Sequence, residues 1–190
     1  MSDEHYDGSL RGQLLIAMPA LEDPNFALTV TYLCVHNSEG AFGLVVNRMF
    51  ADLFVDEVLK ELEVPGAERL NGVPVYMGGP VHPGHMFVLH GPPLTWESSL
   101  PVSDTVAMTN SMDILEAVAV GRGPESFLVV LGCAGWGPEQ LEEELRQNAW
   151  LTAPSSDDIL FTAPVSEKWE LAARSIGIDP ALLSDASGNA

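Results

Sequence analysis

The sequence predicts an α+β fold with a mixed sheet, and three observations carry that prediction. Strand-like and helix-like segments are intermixed without a regular strand–helix–strand repeat, which argues against a doubly wound sheet. Residues 127–145, FLVVLGCAGWGPEQLEEEL, read as a strand covered on both faces, a glycine-marked turn and a helix. Residues 27–36 and 42–47 read as an antiparallel hairpin, because Asn37-Ser38-Glu39-Gly40 between them suits a type I turn followed by a left-handed glycine.

Taken in order, residues 13–18 form the first strand, ended by the turn from Pro19 to Pro24. After the hairpin, apolar residues at 55, 58, 59 and 62 give a helix over 55–62. Residues 73–77 and 86–90 read as strands flanking the turn GGPVHPG, and 105–109 as a further strand. Ser111 caps a helix that runs to about Val120 and closes at Gly121. In the run 127–145, Gly132, Gly135 and Gly137 permit tight backbone turns, and Pro138 suits the first helical position. Leu141 and Leu145 then share one helix face. A short strand at 159–162 and a helix over 165–176 complete the reading. Residues 1–9 and 181–190 are small, polar tails, and residues 10–180 form one domain.

Composition limits the function classes. An apolar fraction of 46% and a mean hydropathy of +0.14 describe a chain with a substantial core. No apolar run approaches a membrane span, and the acidic start MSDEHYDGS lacks the pattern of a secretory signal. Twenty-seven acids against eight bases give a net charge of -19. The bases, Arg11, Arg48, Lys60, Arg69, Arg122, Arg146, Lys168 and Arg174, are scattered singly. Such a field repels a polyanion, so direct nucleic-acid binding is disfavoured, and solubility is the simplest reading of the acidity.

The common catalytic motifs fail. The glycines at 132, 135 and 137 lack the G-x-G-x-x-G spacing, no Gly-Lys-Ser/Thr ends a phosphate loop, and G-x-S-x-G does not occur. His82, His85 and His90 cluster in sequence, but positions 85 and 90 of one strand point to opposite faces, so they do not chelate one ion. Cys34, His36 and Cys133 form a conceivable metal set. Strongly apolar surroundings without an adjacent carboxylate favour free buried thiols instead, and leave a single disulfide open. The expectation is no metal and no cofactor.

Six co-ordered motifs resemble the YqgE/AlgH family: GQLLIAMPALEDPNF at 12–26, GAFGLVVNR at 40–48, YMGGPV at 76–81, FVLH at 87–90, the helix start at Ser111–Asp113 with ILEAVAVG, and GWGPEQLEEEL at 135–145. The resemblance implies a mixed, largely antiparallel, bifurcated sheet folded into a pseudo-barrel with helices packed outside. It also implies a bacterial, cytoplasmic protein. The family has no assigned catalytic residues, and one branch carries a label as a transcriptional regulator of exopolysaccharide synthesis. Against the usual family pattern, Met49 stands where proline is common, Glu139 where glycine is common and Cys133 where tyrosine is frequent; His82 and His85 lie outside the motifs.

The candidate site residues are the polar groups inside those motifs. His36 and Asn37 end one strand, Asn47 ends its partner, and His90 ends the strand after Gly78-Gly79-Pro80; together they form a candidate polar pocket. Asn and His at strand ends also serve loop backbone groups, which is the structural reading of the same set. Gly135, Trp136, Gly137, Pro138 and Gln140 form a structural motif, with Trp136 and Trp150 as core anchors. No triad, dyad or metal spacing is present, so the favoured function is a non-enzymatic one, exerted by contact with a partner protein and with an indirect regulatory effect. The alternatives are an enzyme or ligand binder using His36, Asn47 and His90, and a DNA-binding regulator.

Overall fold

The computed structural model describes residues 8–21 and 23–185. Ten strands share one sheet: β1 (Gln13–Ala17), β2 (Val30–Asn37), β3 (Gly40–Val45), β4 (Met49–Phe54), β5 (Pro74–Met77), β6 (Val81–His90), β7 (Leu100–Pro101), β8 (Ala107–Thr109), β9 (Phe127–Trp136) and β10 (Trp150–Pro154). Their order is β10-β1-β2-β3-β9-β6-β8-β7, with β4 and β5 forming a branch onto β9. Among the described residues five α-helices accompany them: α1 (Val55–Glu61), α2 (Met112–Ala119), α3 (Gln140–Arg146), α4 (Lys168–Ser175) and α5 (Pro180–Asp185). The result is an α+β pseudo-barrel, as the family resemblance implies.

The sheet forks at β9. Residues 129–131 pair in parallel with β5, whereas 134–136 pair antiparallel with β3. Gly132, with φ +74°, lies at the fork. Its effect shows in the faces. Leu128 and Val130 join the central core cluster, and after Gly132 it is Cys133 that joins them, while Ala134 and Trp136 reach a third cluster. The left-handed Gly132 shifts the two-residue alternation of β9 and lets a single strand serve both branches, while the irregular pairing opposite it lies on β6 between Val81 and Met86. Beside it, Gly78 donates to Leu131 O (2.8 Å) and accepts from Val45 N–H (2.9 Å), wedging backbone into the fork. A Cβ on Gly78 or Gly79 would meet the Gly132 or Cys133 carbonyl, so only glycine fits.

Period-two alternation builds the layers. Leu14 and Ile16 of β1 face the central cluster with Tyr32, Leu44 and Leu89; Leu15 and Ala17 face the cluster under α3. A second cluster joins Val129 to Leu59 of α1 and Ile114 and Leu115 of α2. Each fully buried aliphatic side chain contributes about 1.5–3 kcal/mol.

Several expectations are corrected. The strand expected to stop at the glycines runs on through Trp136, so Gly132 and Gly135 lie inside β9. Gly135 has neither a positive φ nor a close backbone neighbour, since a Cβ there meets only Val81 Cγ2 at 3.8 Å. Pro138 does not open the helix: α3 starts at Gln140, after Glu139 at φ +61°. Residues 158–162 form a wide helical turn, with Ala163 N–H donating to Asp158 O (2.8 Å), where a strand was expected. Strands β4, β7 and β10 and the short 3-10 turn Ala67–Leu70 were not expected. Helix α5 occupies the start of the expected tail 181–190; the rest of that tail, and residues 1–7, lie outside the described residues. Ser9, in the expected N-terminal tail, donates to His36 O (2.9 Å).

Candidate functional site

The expected polar pocket does not assemble. His36 lies opposite Ala41, which lies opposite Trp136 at one end of β9, whereas His90 lies opposite Phe127 at the other. Nine steps along β9 therefore separate them, about 30 Å of extended strand. Asn47 sits beyond β3 beside Val30, at the opposite end of β2 from His36.

Each candidate has a local task. His36 is buried; Leu10 N–H donates to its Nδ1 (2.9 Å), which leaves the proton on Nε2 to donate to Glu142 Oε1 (2.9 Å). That tautomer ties the segment before β1 to α3. Asn37 Oδ1 accepts from Glu39 N–H (2.8 Å) and shapes the hairpin turn, where Gly40 has φ +126°. His90 is wholly buried and its Nδ1 donates to Gly91 O (2.8 Å). Burial lowers its pKa, so it stays neutral. Gly78 and Gly79 belong to the fork.

The tryptophan motif is a framework. Trp136 and Trp150 pack edge-on at 5.8 Å, and both indole N–H groups donate to Glu144 Oε2, at 2.9 and 2.7 Å. Gln140 joins them, accepting from Gly137 N–H (3.0 Å) and donating to Glu144 Oε1 (2.9 Å). Sequence reasoning missed Glu142 and Glu144 because an acidic helix face ordinarily reads as solvated.

Cys34 and Cys133 are free and buried, and burial pushes both thiols upward. They lie on β2 and β9 with β3 between, so their Cα atoms are about 9–10 Å apart, too far for the disulfide that the sequence left open. Among the described residues no group of three or more His, Cys, Asp or Glu is placed to hold a metal ion. No helix among them is long and apolar enough to cross a membrane.

What the fold does assemble is a cleft of about 810 Å³ that the sequence did not disclose. One wall is the segment before β2, with Pro19, Ala27 and Leu28; Asn47 closes it, and Val165 and Trp169 face it from the α4 side. Leu28 is 56% exposed and has φ +56°, a left-handed conformation that a bulky side chain rarely adopts. Two motif residues hold it there. Asn47 Nδ2 donates to Leu28 O (2.9 Å) while its Oδ1 accepts from Val30 N–H (2.7 Å). Arg48 donates to the carbonyls of Pro24 (2.8 Å), Asn25 (2.9 Å) and Ala27 (2.7 Å). The Asn-Arg pair thus satisfies the carbonyls of Pro24, Asn25, Ala27 and Leu28 in the segment before β2, where the Leu28 side chain is exposed.

Helix α4 is anchored from behind. Trp169 Nε1 donates to Ala17 O (2.9 Å). Lys168, 1% exposed, donates to Leu160 O (2.6 Å) and Val46 O (3.1 Å) and lies 5.4 Å from the centre of the Tyr76 ring. Burial lowers its pKa to about 8. At the rim, Glu170 pairs with Arg174 (3.1 Å), and Asp179 Oδ1 accepts from Ala181 N–H (3.0 Å) at the start of α5.

Comparisons with known proteins fit this architecture. The AlgH-like family model matches residues 14–181. A UPF0301 protein of Desulforapulum autotrophicum is 47% identical over 183 residues, covering 96% of this chain and 97% of that one. One from Xanthomonas campestris is 49% identical over 182 residues, covering 95% and 96%. Among solved structures, the solution structure of the AlgH protein from Pseudomonas aeruginosa matches with TM-score 0.79 and 44% identity, over 100% of this chain and 99% of that one. A Corynebacterium diphtheriae crystal structure shares the fold at TM-score 0.71 and 22% identity, over 89% and 88%.

Proposed function

The chain belongs to the AlgH-like family, and from that premise we propose that it is a cytoplasmic, non-enzymatic protein that binds another protein at the cleft beside Leu28. The observation that carries this reading is Leu28 itself: a solvent-exposed leucine in a strained backbone, its carbonyl held by Asn47 and the residue before it by Arg48. A soluble domain gains nothing from such an arrangement unless something covers the leucine.

The chemistry of the polar groups supports a binding role over catalysis. His36 has both ring nitrogens engaged, His90 and Lys168 are sealed from solvent, and both ends of the Asn47 amide are bonded to backbone. Ser166 lines the cleft, but among the described residues no base is hydrogen-bonded to it. The net charge of -19 opposes contact with DNA, so any effect on gene expression runs through the partner.

Leu28→Asn tests the proposal, because asparagine tolerates the left-handed region and keeps the loop while removing the apolar anchor. Proteins retained from a bacterial extract by the wild type are compared with those retained by the variant. At least one should be held by the wild type and lost from Leu28→Asn, and neither form should retain duplex DNA at physiological salt. Identical retained sets, or specific duplex retention, would overturn it.

A further inference from the structure

Resting on that reading, we infer that the cleft takes a cationic amphipathic helix of a partner protein. Three observations define the occupant. First, the walls offer no strand edge. β1 is paired on both sides by β10 and β2, and β2 by β1 and β3. The lining carbonyls of Ala27 and Leu28 already accept from Arg48 and Asn47. An extended peptide would leave its own backbone groups unpaired here. A helix satisfies its backbone internally and needs only a groove for its apolar face.

Second, the groove has the matching character. Leu28 and the partly exposed Val165 offer apolar surface, with the edge of the buried Trp169 at the floor, and about 810 Å³ accommodates the i, i+3, i+4 and i+7 side chains of two helical turns. Third, the rim is acidic. Glu167 beside the lining residue Ser166, together with Glu170 and Asp179, outnumbers Arg174, which Glu170 already pairs. The long-range field of a chain at -19 adds to this. The same field opposes a second copy of the chain in the cleft. Lysines or arginines on the polar face of the incoming helix therefore meet complementary charge while its leucine-like side chains cover Leu28.

The test uses the full chain and a labelled synthetic peptide of about 18 residues, leucine and lysine arranged with helical period. Fluorescence anisotropy compares it with the same composition scrambled to abolish the apolar stripe, and with glutamate in place of lysine. The periodic Leu/Lys peptide should bind at least tenfold more tightly than either control. Leu28→Asn, which keeps every charge, should weaken it at least tenfold, and Glu170→Gln with Asp179→Asn should flatten its salt dependence. Equal binding by Leu28→Asn, with an unchanged circular dichroism spectrum and melting point, would mean mere adsorption to an acidic surface and would overturn the inference. So would a dimer of the chain that Leu28→Asn dissociates. Failure of the peptide alongside a partner lost from Leu28→Asn in extract would sink the helix class while leaving the binding role standing.

Discussion

Replacing Lys168 with methionine should change how stability depends on pH, and the structure sets the size of the effect. The side chain is buried without a carboxylate, held by two carbonyls and the Tyr76 face. Its pKa falls from 10.5 in the open chain to about 8 in the fold. Between those values the unfolded chain holds a proton that the folded chain has released. Stability from this group therefore rises with pH across that window. Integrating from about pH 7 to about pH 9.5 gives a gain of about 2 kcal/mol. Tyr32, raised to about 12 by burial, and the two buried thiols act in the opposite sense above their unfolded values, but equally in both proteins. The informative quantity is thus the wild-type value minus that of Lys168→Met. Urea unfolding at the two pH values should show this gap move by about 2 kcal/mol in favour of the wild type. At the lower pH the variant escapes the cost of the buried charge but leaves the Val46 and Leu160 carbonyls unpaired, at about 1–3 kcal/mol each. A gap that does not move with pH would refute the assignment of Lys168 as a buried, titrating cation.

Two further outcomes follow from the backbone. Gly79→Ala should unfold many degrees below the wild type, because φ is +145° and a Cβ would enter the Cys133 carbonyl, whereas Gly135→Ala should melt within a degree or two; equal losses by calorimetry would show that the fork is not the constraint. Glu139→Gly should raise stability by about 1 kcal/mol, since the exposed Glu139 holds φ +61°, a left-handed conformation that costs a side chain but not glycine; a lower denaturation midpoint would contradict this.

How far the chain could be read depended on how local each signal was. The strand 13–17, the hairpin with its Asn37–Gly40 turn and the helices at 55 and 112 were legible because period and turn chemistry lie within a few residues. Residues 159–162 misled because a short apolar run does not distinguish strand from helix; Leu160 N–H bonding to Ser156 O (3.0 Å) decides it. Strand β4 was missed because none of its residues is buried and they show no alternation. The glycines at 132 and 135 looked like a turn, whereas both lie inside β9, where Gly132 at φ +74° turns the strand's face and Gly135 has no close neighbour that requires it. The site was less legible than the fold. Asn47 was singled out, but as a pocket lining rather than as the clamp on Leu28. Lys168 looked like one more scattered base, and its partners lie 8 and 122 positions away. A cleft drawn from positions 19–28, 47 and 165–181 has no sequence spacing to betray it.

The measurement closest to the central claim is amide hydrogen exchange on the chain with its captured partner bound, compared with the chain alone. Coverage of Leu28 by a partner predicts new protection in two stretches, the segment 19–28 before β2 and the segment 165–181 containing α4, with β6 and the His36 end of β2 unchanged. Protection confined to the fork around Met77 and Val81, or to α3 and His36, would place the contact elsewhere and contradict the account.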